Sequence, residues 1–261
     1  MEKKKRFSYR CYRIIRWFVW LFYPKTKVVG TENLPEDACI IVGNHAQMHG
    51  PIAAELYLPG EHDTWCAGQM MELKEVPAYS FSDFWSSKPS YIRWFYRGLS
   101  YVIAPFSVCI FNNARTIPVY RDTRIVKTFK LTLSSLESGK NVVIFPEHNQ
   151  PYNHILYDFQ DRFIDIAKQY YKRTGQCLAF VPLYNAPSLK TMYLGSPIRY
   201  CPEGNPAEER KRIKDALMQQ ITAMALSAPA HTVVPYPNLP KSQYPCNIPN
   251  EVSQSHETAC H

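Results

Sequence analysis

Between residues 38 and 226, short apolar runs alternate with stretches in which apolar residues recur every third or fourth position, the pattern of strands and helices taken in turn. Residues 38–43 and 141–145 are compact apolar runs, the second followed by Pro146, and both predict buried strands. Three more strands are predicted over 64–67, 116–120 and 178–184. Helices are predicted over 50–57, 122–138, 158–173 and 206–226. Gly139 and Gly175 supply stops for the second and third of these, and Pro206 sits in the first turn of the fourth, where its missing N–H is no loss. Such alternation predicts an α/β fold with a mostly parallel sheet flanked by helices. Functional groups in such sheets collect at the carboxyl ends of the strands.

The two ends of the chain follow other rules. Lys3, Arg6, Arg10 and Arg13 recur at helical spacing, while Phe7, Cys11, Ile14, Ile15, Phe18 and Phe22 fall on another face, which predicts an N-terminal amphipathic helix. Arg16 interrupts the apolar stretch 14–23, which is shorter than the roughly 20 residues of a helical span and lacks the small residues of a cleavage site. Trp17, Trp20 and Tyr23 suit the headgroup boundary of a membrane, so this helix reads as lying in the interface plane. The alternative is a helix packed on the domain with a solvated basic face. From residue 229 the chain is rich in Pro, Asn and Ser and shows no core of its own; it either wraps the domain or stays mobile. Three segments result: a basic amphipathic helix over 1–24, an α/β domain over 25–226 and a Pro-rich tail over 227–261.

A chain of 261 residues is long enough to bury one full core. Its formal net charge of +8 is carried entirely by residues 1–27, where nine basic side chains face Glu2 alone. The basic character is therefore an address for an anionic surface and not a property of the fold. Nucleic acid is not implied, because the remaining residues carry no basic excess. The eight cysteines form no Cys-x-x-Cys pair and several sit inside apolar runs, which points to free thiols in a reducing compartment. Together these features predict a peripheral protein on the cytoplasmic side of a membrane.

Four segments at or just after apolar runs carry the chemistry. They are Gly43-Asn44-His45-Ala46-Gln47-Met48-His49-Gly50, Ile117-Pro118-Val119-Tyr120-Arg121, Phe145-Pro146-Glu147-His148 and Val181-Pro182-Leu183. Their order and spacing resemble the four blocks of the glycerolipid acyltransferases, the phospholipid and glycerol acyltransferase superfamily that includes lysophosphatidic acid acyltransferase. The surroundings agree: Gly30-Thr31-Glu32-Asn33-Leu34-Pro35 before the first block, Leu136-Glu137-Ser138-Gly139-Lys140 before the third, and Leu194-Gly195-Ser196-Pro197-Ile198 after the fourth. The resemblance covers about residues 25–225.

The resemblance implies a glycerolipid-acyltransferase-like fold and transfer of a fatty acyl group from a thioester, acyl-CoA or acyl carrier protein as co-substrate, to a hydroxyl of a lysophospholipid or glycerol phosphate. No bound cofactor and no metal are implied. His45 takes the role of general base, since a neutral imidazole near its working pKa suits removal of a hydroxyl proton. Backbone N–H groups at the start of the following helix are expected to stabilise the oxyanion. Arg121, Glu147, His148 and Asn44 are expected to bind substrate. The aromatic run over 79–107, ten rings against the single acid Asp83, reads as core, with an acyl groove or a membrane-facing lid as alternatives.

Two departures from the family pattern stand out. The aspartate expected five residues after the histidine, which would orient the imidazole, is Gly50. Three substitutes are conceivable: His49 beside it, a carboxylate such as Glu55 or Asp63, or a backbone carbonyl. In the third block Gln150 stands where the family has a phosphate-binding arginine, leaving Arg121 for that task. These departures keep a second reading open, a catalytically degenerate lipid- or acyl-binding protein on the same fold. A third is a metal hydrolase using His45 and His49, four apart, with Glu147, His148 and His154; it lacks the glutamate that normally follows the first histidine.

Overall fold

A computed structural model of the protein describes residues 2–86, 88–120 and 122–248; for residues 2–6 and 149 only the backbone is described. In chain order the elements begin with helix α1 (Glu2–Phe22), strands β1 (Lys27–Val29) and β2 (Cys39–Gly43), helix α2 (His49–Tyr57) and strand β3 (His62–Ala67). Helices α3 (Val76–Ser80) and α4 (Arg93–Asn113), strand β4 (Thr116–Val119), helix α5 (Ile125–Glu137) and strand β5 (Asn141–Ile144) follow. The chain continues through a hairpin, β6 (Glu147–Tyr152) and β7 (Tyr157–Phe159), to helix α6 (Asp165–Thr174), strands β8 (Ala179–Ala186), β9 (Thr191–Leu194) and β10 (Ile198–Arg199), and helix α7 (Pro206–Ser227). It divides into two compact units, residues 1–24 with 63–131 and residues 25–62 with 132–261.

The second unit holds a sheet in the order β1-β9-β8-β2-β5, with β10 beside β8. β2 runs parallel to both β5 and β8, and β1 parallel to β9; the β8–β9 and β8–β10 pairs are antiparallel. All five residues of β2 and all eight of β8 are buried. Side chains alternate across a strand, so unbroken burial means that both faces of the sheet are covered. Helix α7 packs against β8 through Ile213, Leu217, Ile221 and Ala225, which recur at helical spacing. Asn205 caps that helix by accepting the N–H of Ala207, and Gly175, in the left-handed region, ends α6.

One predicted helix starts later than its periodicity implies. Residues 157–159 pair with β6, Phe159 opposite Glu147, and a single 3-10 turn at Arg162–Ile164 leads into α6 at Asp165. The hairpin takes Asp158 and Phe159, and the 3-10 turn stands in for the next helical turn.

Residues 228–248 lie on this unit as a loop closed at its neck. Thr232 bridges Cys246, Val233 donates its N–H to Pro245 O (2.8 Å), and Asn247 donates to His231 O (3.0 Å). The buried Asn247 side chain accepts the N–H of His231 (2.8 Å) and donates to the carbonyls of Ala225 (2.8 Å) and Ala228 (3.3 Å). His231 pairs its Nε2 with the Tyr184 hydroxyl of β8 (2.7 Å), and His154 in the hairpin turn meets Cys246 O (2.5 Å).

The first unit holds the parallel pair β3–β4 and the helices α1, α3 and α4. α1 packs on α4 through small polar contacts: Asn113 Nδ2 donates to Ser8 Oγ (2.8 Å) and the Cys109 thiol to Ser8 O (3.4 Å). Tyr12 is the buried residue of that seam. Phe7, Ile14, Phe18 and Phe22 stay exposed, as do Trp17 and Trp20. The core reading of the aromatic run is corrected here. Tyr91, Trp94 and Tyr101 are at least 70% exposed, and Phe95, Val102 and Phe106 also face outward. Ser90–Asn113 is long and apolar enough to cross a membrane by length and composition, and only 17% of its apolar window is buried. The side chains of Lys3, Lys4, Lys5 and Arg6 lie outside the described residues.

Asn247→Ala leaves one N–H and two carbonyls at the neck without partners. The expected loss is about 2–4 kcal/mol of unfolding free energy, read from urea titration of the full chain.

Candidate active site

Three parallel strands end close together and deliver the chemistry. His45 follows β2 by two residues, Glu147 follows β5 by three, and Asn185 lies at the end of β8. Asn44 and Asn185 lock the first and last of these ends together. Asn44 Nδ2 donates to Asn185 O (3.1 Å), Asn44 Oδ1 accepts Asn185 N–H (2.6 Å), and Asn185 Nδ2 donates to Asn44 O (2.7 Å). Both residues are buried. The Asn44 amide is thus engaged with β8.

Glu147 ties the second end in. Its carboxylate is 5% exposed and accepts the N–H of His45 at Oε2 (2.6 Å) and the N–H of Tyr157 at Oε1 (3.1 Å). Burial pushes its pKa up to about 7, against the opposing pull of the two N–H donors. His148, the next residue on β6, is exposed.

The His45 ring is half-buried. Its edges meet Phe145 (centroids 5.5 Å apart) and Tyr236 (5.6 Å). Its Nδ1 faces the carbonyl of Gln47 in a short hydrogen bond. With Nδ1–H as donor, Nε2 is left as the bare nitrogen; among the described residues it has no hydrogen-bond partner. Burial lowers the pKa of the imidazole, with the Gln47 carbonyl acting in the opposite direction. A neutral ring with a free Nε2 is the form able to take a proton.

The loop that makes this possible is strained. Ala46 and Gln47 both adopt left-handed backbone, at φ 45° and 55°. Outside glycine each such residue costs about 1 kcal/mol or more. This reversal turns the Gln47 carbonyl back toward the ring two residues before it. The same fold explains why no aspartate follows. A Cβ at Gly50 would lie 2.5 Å from His45 O and 3.0 Å from Asn44 O, and Gly50 N–H itself donates to His45 O (3.0 Å). Only glycine fits that approach. Of the three conceivable substitutes for the aspartate, a backbone carbonyl occupies the position at Nδ1.

The oxyanion expectation changes as well. The N–H groups of His49, Gly50 and Ile52 donate to Ala46, His45 and Met48 (3.1, 3.0 and 3.3 Å), and Pro51 has none. The start of α2 is therefore already engaged. The N–H groups of Ala46, Gln47 and Met48 have no partner among the described residues.

Sequence reasoning missed the tail. Tyr236 packs on the His45 ring, and Gln47 Nε2 donates to Tyr244 Oη (2.7 Å) and Pro237 O (3.2 Å). Burial and the positive charge of Lys241 together lower the pKa of His49, the first residue of α2. Tail composition masked these roles, because a loop held by side-chain and main-chain hydrogen bonds leaves no apolar periodicity. In the second block, the Tyr120 hydroxyl donates to Glu72 (3.0 Å) and Arg124 stacks over the Tyr120 ring (3.9 Å) while pairing with Asp122 (2.8 Å). Arg121 lies outside the described residues. No cluster of three or more His, Cys, Asp or Glu arranged to hold a metal ion occurs among the described residues.

No family model and no curated protein matches the chain. A solved structure similar to it is the 1-acyl-sn-glycerophosphate (LPA) acyltransferase PlsC from Thermotoga maritima, at 13% identity and a TM-score of 0.45, covering 85% of this chain and 82% of that one. A match this distant assigns neither substrate nor site residues.

Gly50→Asp is expected to lower stability by about 2 kcal/mol or more, since the Cβ must displace backbone; thermal or urea unfolding reads it. The Glu147 pKa is raised above its unfolded value. Its contribution to stability is therefore full below about pH 4.5 and lost as pH rises through about 7. Carbon-13 NMR of the side-chain carboxyl should place its midpoint near neutrality, and Glu147→Gln should flatten the stability profile over that window.

Proposed function

We propose that this protein is a membrane-surface acyltransferase that moves a fatty acyl group from a thioester donor to a hydroxyl of a lysophospholipid or glycerol phosphate. The observation that carries the reading is the His45 ring: neutral by burial, Nδ1 capped by a carbonyl, Nε2 open at the carboxyl end of a parallel sheet. The four-block resemblance supplies the reaction class. In it, Nε2 of His45 takes the proton of the acceptor hydroxyl as its oxygen attacks the thioester carbonyl. The carbon–sulfur bond then breaks, and the departing thiolate recovers the proton from the imidazolium. The N–H groups of residues 46–48 are suited to the transient oxyanion, because they follow His45 directly and have no partner among the described residues.

Membrane contact is assigned to the first unit. α1 and α4 present Phe7, Trp17, Phe22, Trp94, Tyr101 and Phe106 outward, and Arg10, Arg13 and Arg16 are exposed on the same helix pair. Aromatic rings at the headgroup boundary with basic residues beside them suit a cytoplasmic, anionic leaflet and a peripheral mode of binding.

Purified protein should release CoA from acyl-CoA in the presence of lysophosphatidic acid, another lysophospholipid or glycerol 3-phosphate, and His45→Ala should abolish the release. Binding of lysolipid or acyl-CoA with no turnover across such a panel would instead establish the degenerate binding protein. Replacing Arg10 and Arg13 together by alanine should weaken partitioning onto anionic vesicles about 30-fold, with little effect on neutral ones, as read by co-sedimentation.

A further inference from the structure

The loop closed by the Thr232–Cys246 bridge does more than cover the sheet. Compact surface loops of this size, with ends held together, frequently carry function. Its neck is fixed to three elements: to α7 through Asn247, to β8 through His231 and to the hairpin turn through His154. Its tip reaches the site at Gln47, whose Nε2 donates to Tyr244 Oη and Pro237 O, and at His45, beside which the Tyr236 ring packs. The main chain of that same residue presents the carbonyl to His45 Nδ1. Gln47 also holds a left-handed backbone, as does Ala46 before it, a conformation that persists only where the surroundings over-determine it. The tip supplies that determination and adds the Tyr236 ring, set at 72° to the imidazole.

We infer that Gln47 is a positioning residue and that the C-terminal loop is its clamp: by holding the Gln47 side chain, Tyr244 and Pro237 keep the Gln47 carbonyl on His45 Nδ1 and so select the tautomer whose Nε2 is bare. The loop does from outside the first block what an aspartate at position 50 would do from inside it. This rests on the reading of His45 as the base, yet the geometry it predicts is measurable without substrate.

The test uses full-length protein labelled with nitrogen-15 in its histidines, with His45 signals identified by their loss in His45→Gln. Long-range proton–nitrogen correlations should show the wild-type ring protonated at Nδ1. Gln47→Ala retains the carbonyl and removes only the anchor; Tyr244→Phe removes one hydroxyl. Tyr244→Phe should shift the His45 tautomer ratio about fivefold toward the Nε2–H form, as expected for loss of one hydrogen bond, and Gln47→Ala, which loses two, by at least as much. Gln243→Ala, on the exposed side of the tip, should leave the ratio unchanged. The His231 signal in the same spectra reports whether the neck is intact. Should Gln47→Ala displace His231 as well, Tyr244→Phe decides.

A wild-type ring protonated at Nε2, or a ratio indifferent to both variants, overturns the clamp. Activity is measured separately. CoA release in Tyr244→Phe should fall by up to about fivefold in kcat with KM little changed, because the rate scales with the fraction of the competent tautomer. Absence of turnover in every form, wild type included, would sink the acyltransferase reading and leave the clamp standing. An active protein whose tautomer ignores both variants would sink the clamp alone.

Discussion

A carboxylate taken out of water normally finds a cation or loses its charge. Glu147 instead meets two backbone N–H groups, those of His45 and Tyr157, and burial carries its pKa to about 7. This pairing joins the end of β2 to the hairpin after β5, and the rest of the site follows from it. With the His45 main chain held from one side, the backbone can reverse through Ala46 and Gln47 without the loop lifting off the sheet. That reversal places the Gln47 carbonyl on the ring and brings Gly50 against the backbone of Asn44 and His45. The Asn44–Asn185 clasp extends the same device to β8, so three strand ends are tied by polar groups where the hydrophobic core runs out.

Desolvation is the largest electrostatic influence on the titratable groups at these strand ends. Burial disfavours the charged forms of His45, His49 and Glu147, aided at His49 by the charge of Lys241, and carries the Glu147 pKa to about 7. Such tuning by desolvation is what proton transfer at physiological pH requires. The strong ion pairs lie elsewhere, as between Arg124 and Asp122, or between Arg210 and Asp165 beside α6.

Much of this was legible in the sequence, for reasons that can be named. The buried strands around 38–43, 141–145 and 178–184 were readable because parallel central strands are apolar on both faces. The placement of His45 and Glu147 at strand ends was readable because each follows such a run closely, while the roles expected of them came from the four-block resemblance. The β7 strand was hidden by an apolar spacing that fits a helix equally well, and hairpin pairing decided between them. The aromatic run misled in the other direction, since composition alone does not say whether rings face a core or a surface. Gln47 stood inside the first block without a role, because its work is done by a carbonyl that every residue possesses. Tyr236, Pro237 and Tyr244 were out of reach, being joined to the site by contacts that span about 190 positions of chain.

That separation has a consequence for the birth of the molecule. Domains made on the ribosome begin to organise from the N-terminal side while the remainder is still being added, at about 5–20 residues per second. Here the segment that steadies His45 is polymerised about 190 residues after it. A nascent chain can assemble the strands that flank β2 and still carry a slack, unaligned imidazole until residues 236–244 have left the exit tunnel. Alignment of the ring is thereby a late event, and products terminated before residue 236 are expected to lack it even where they fold.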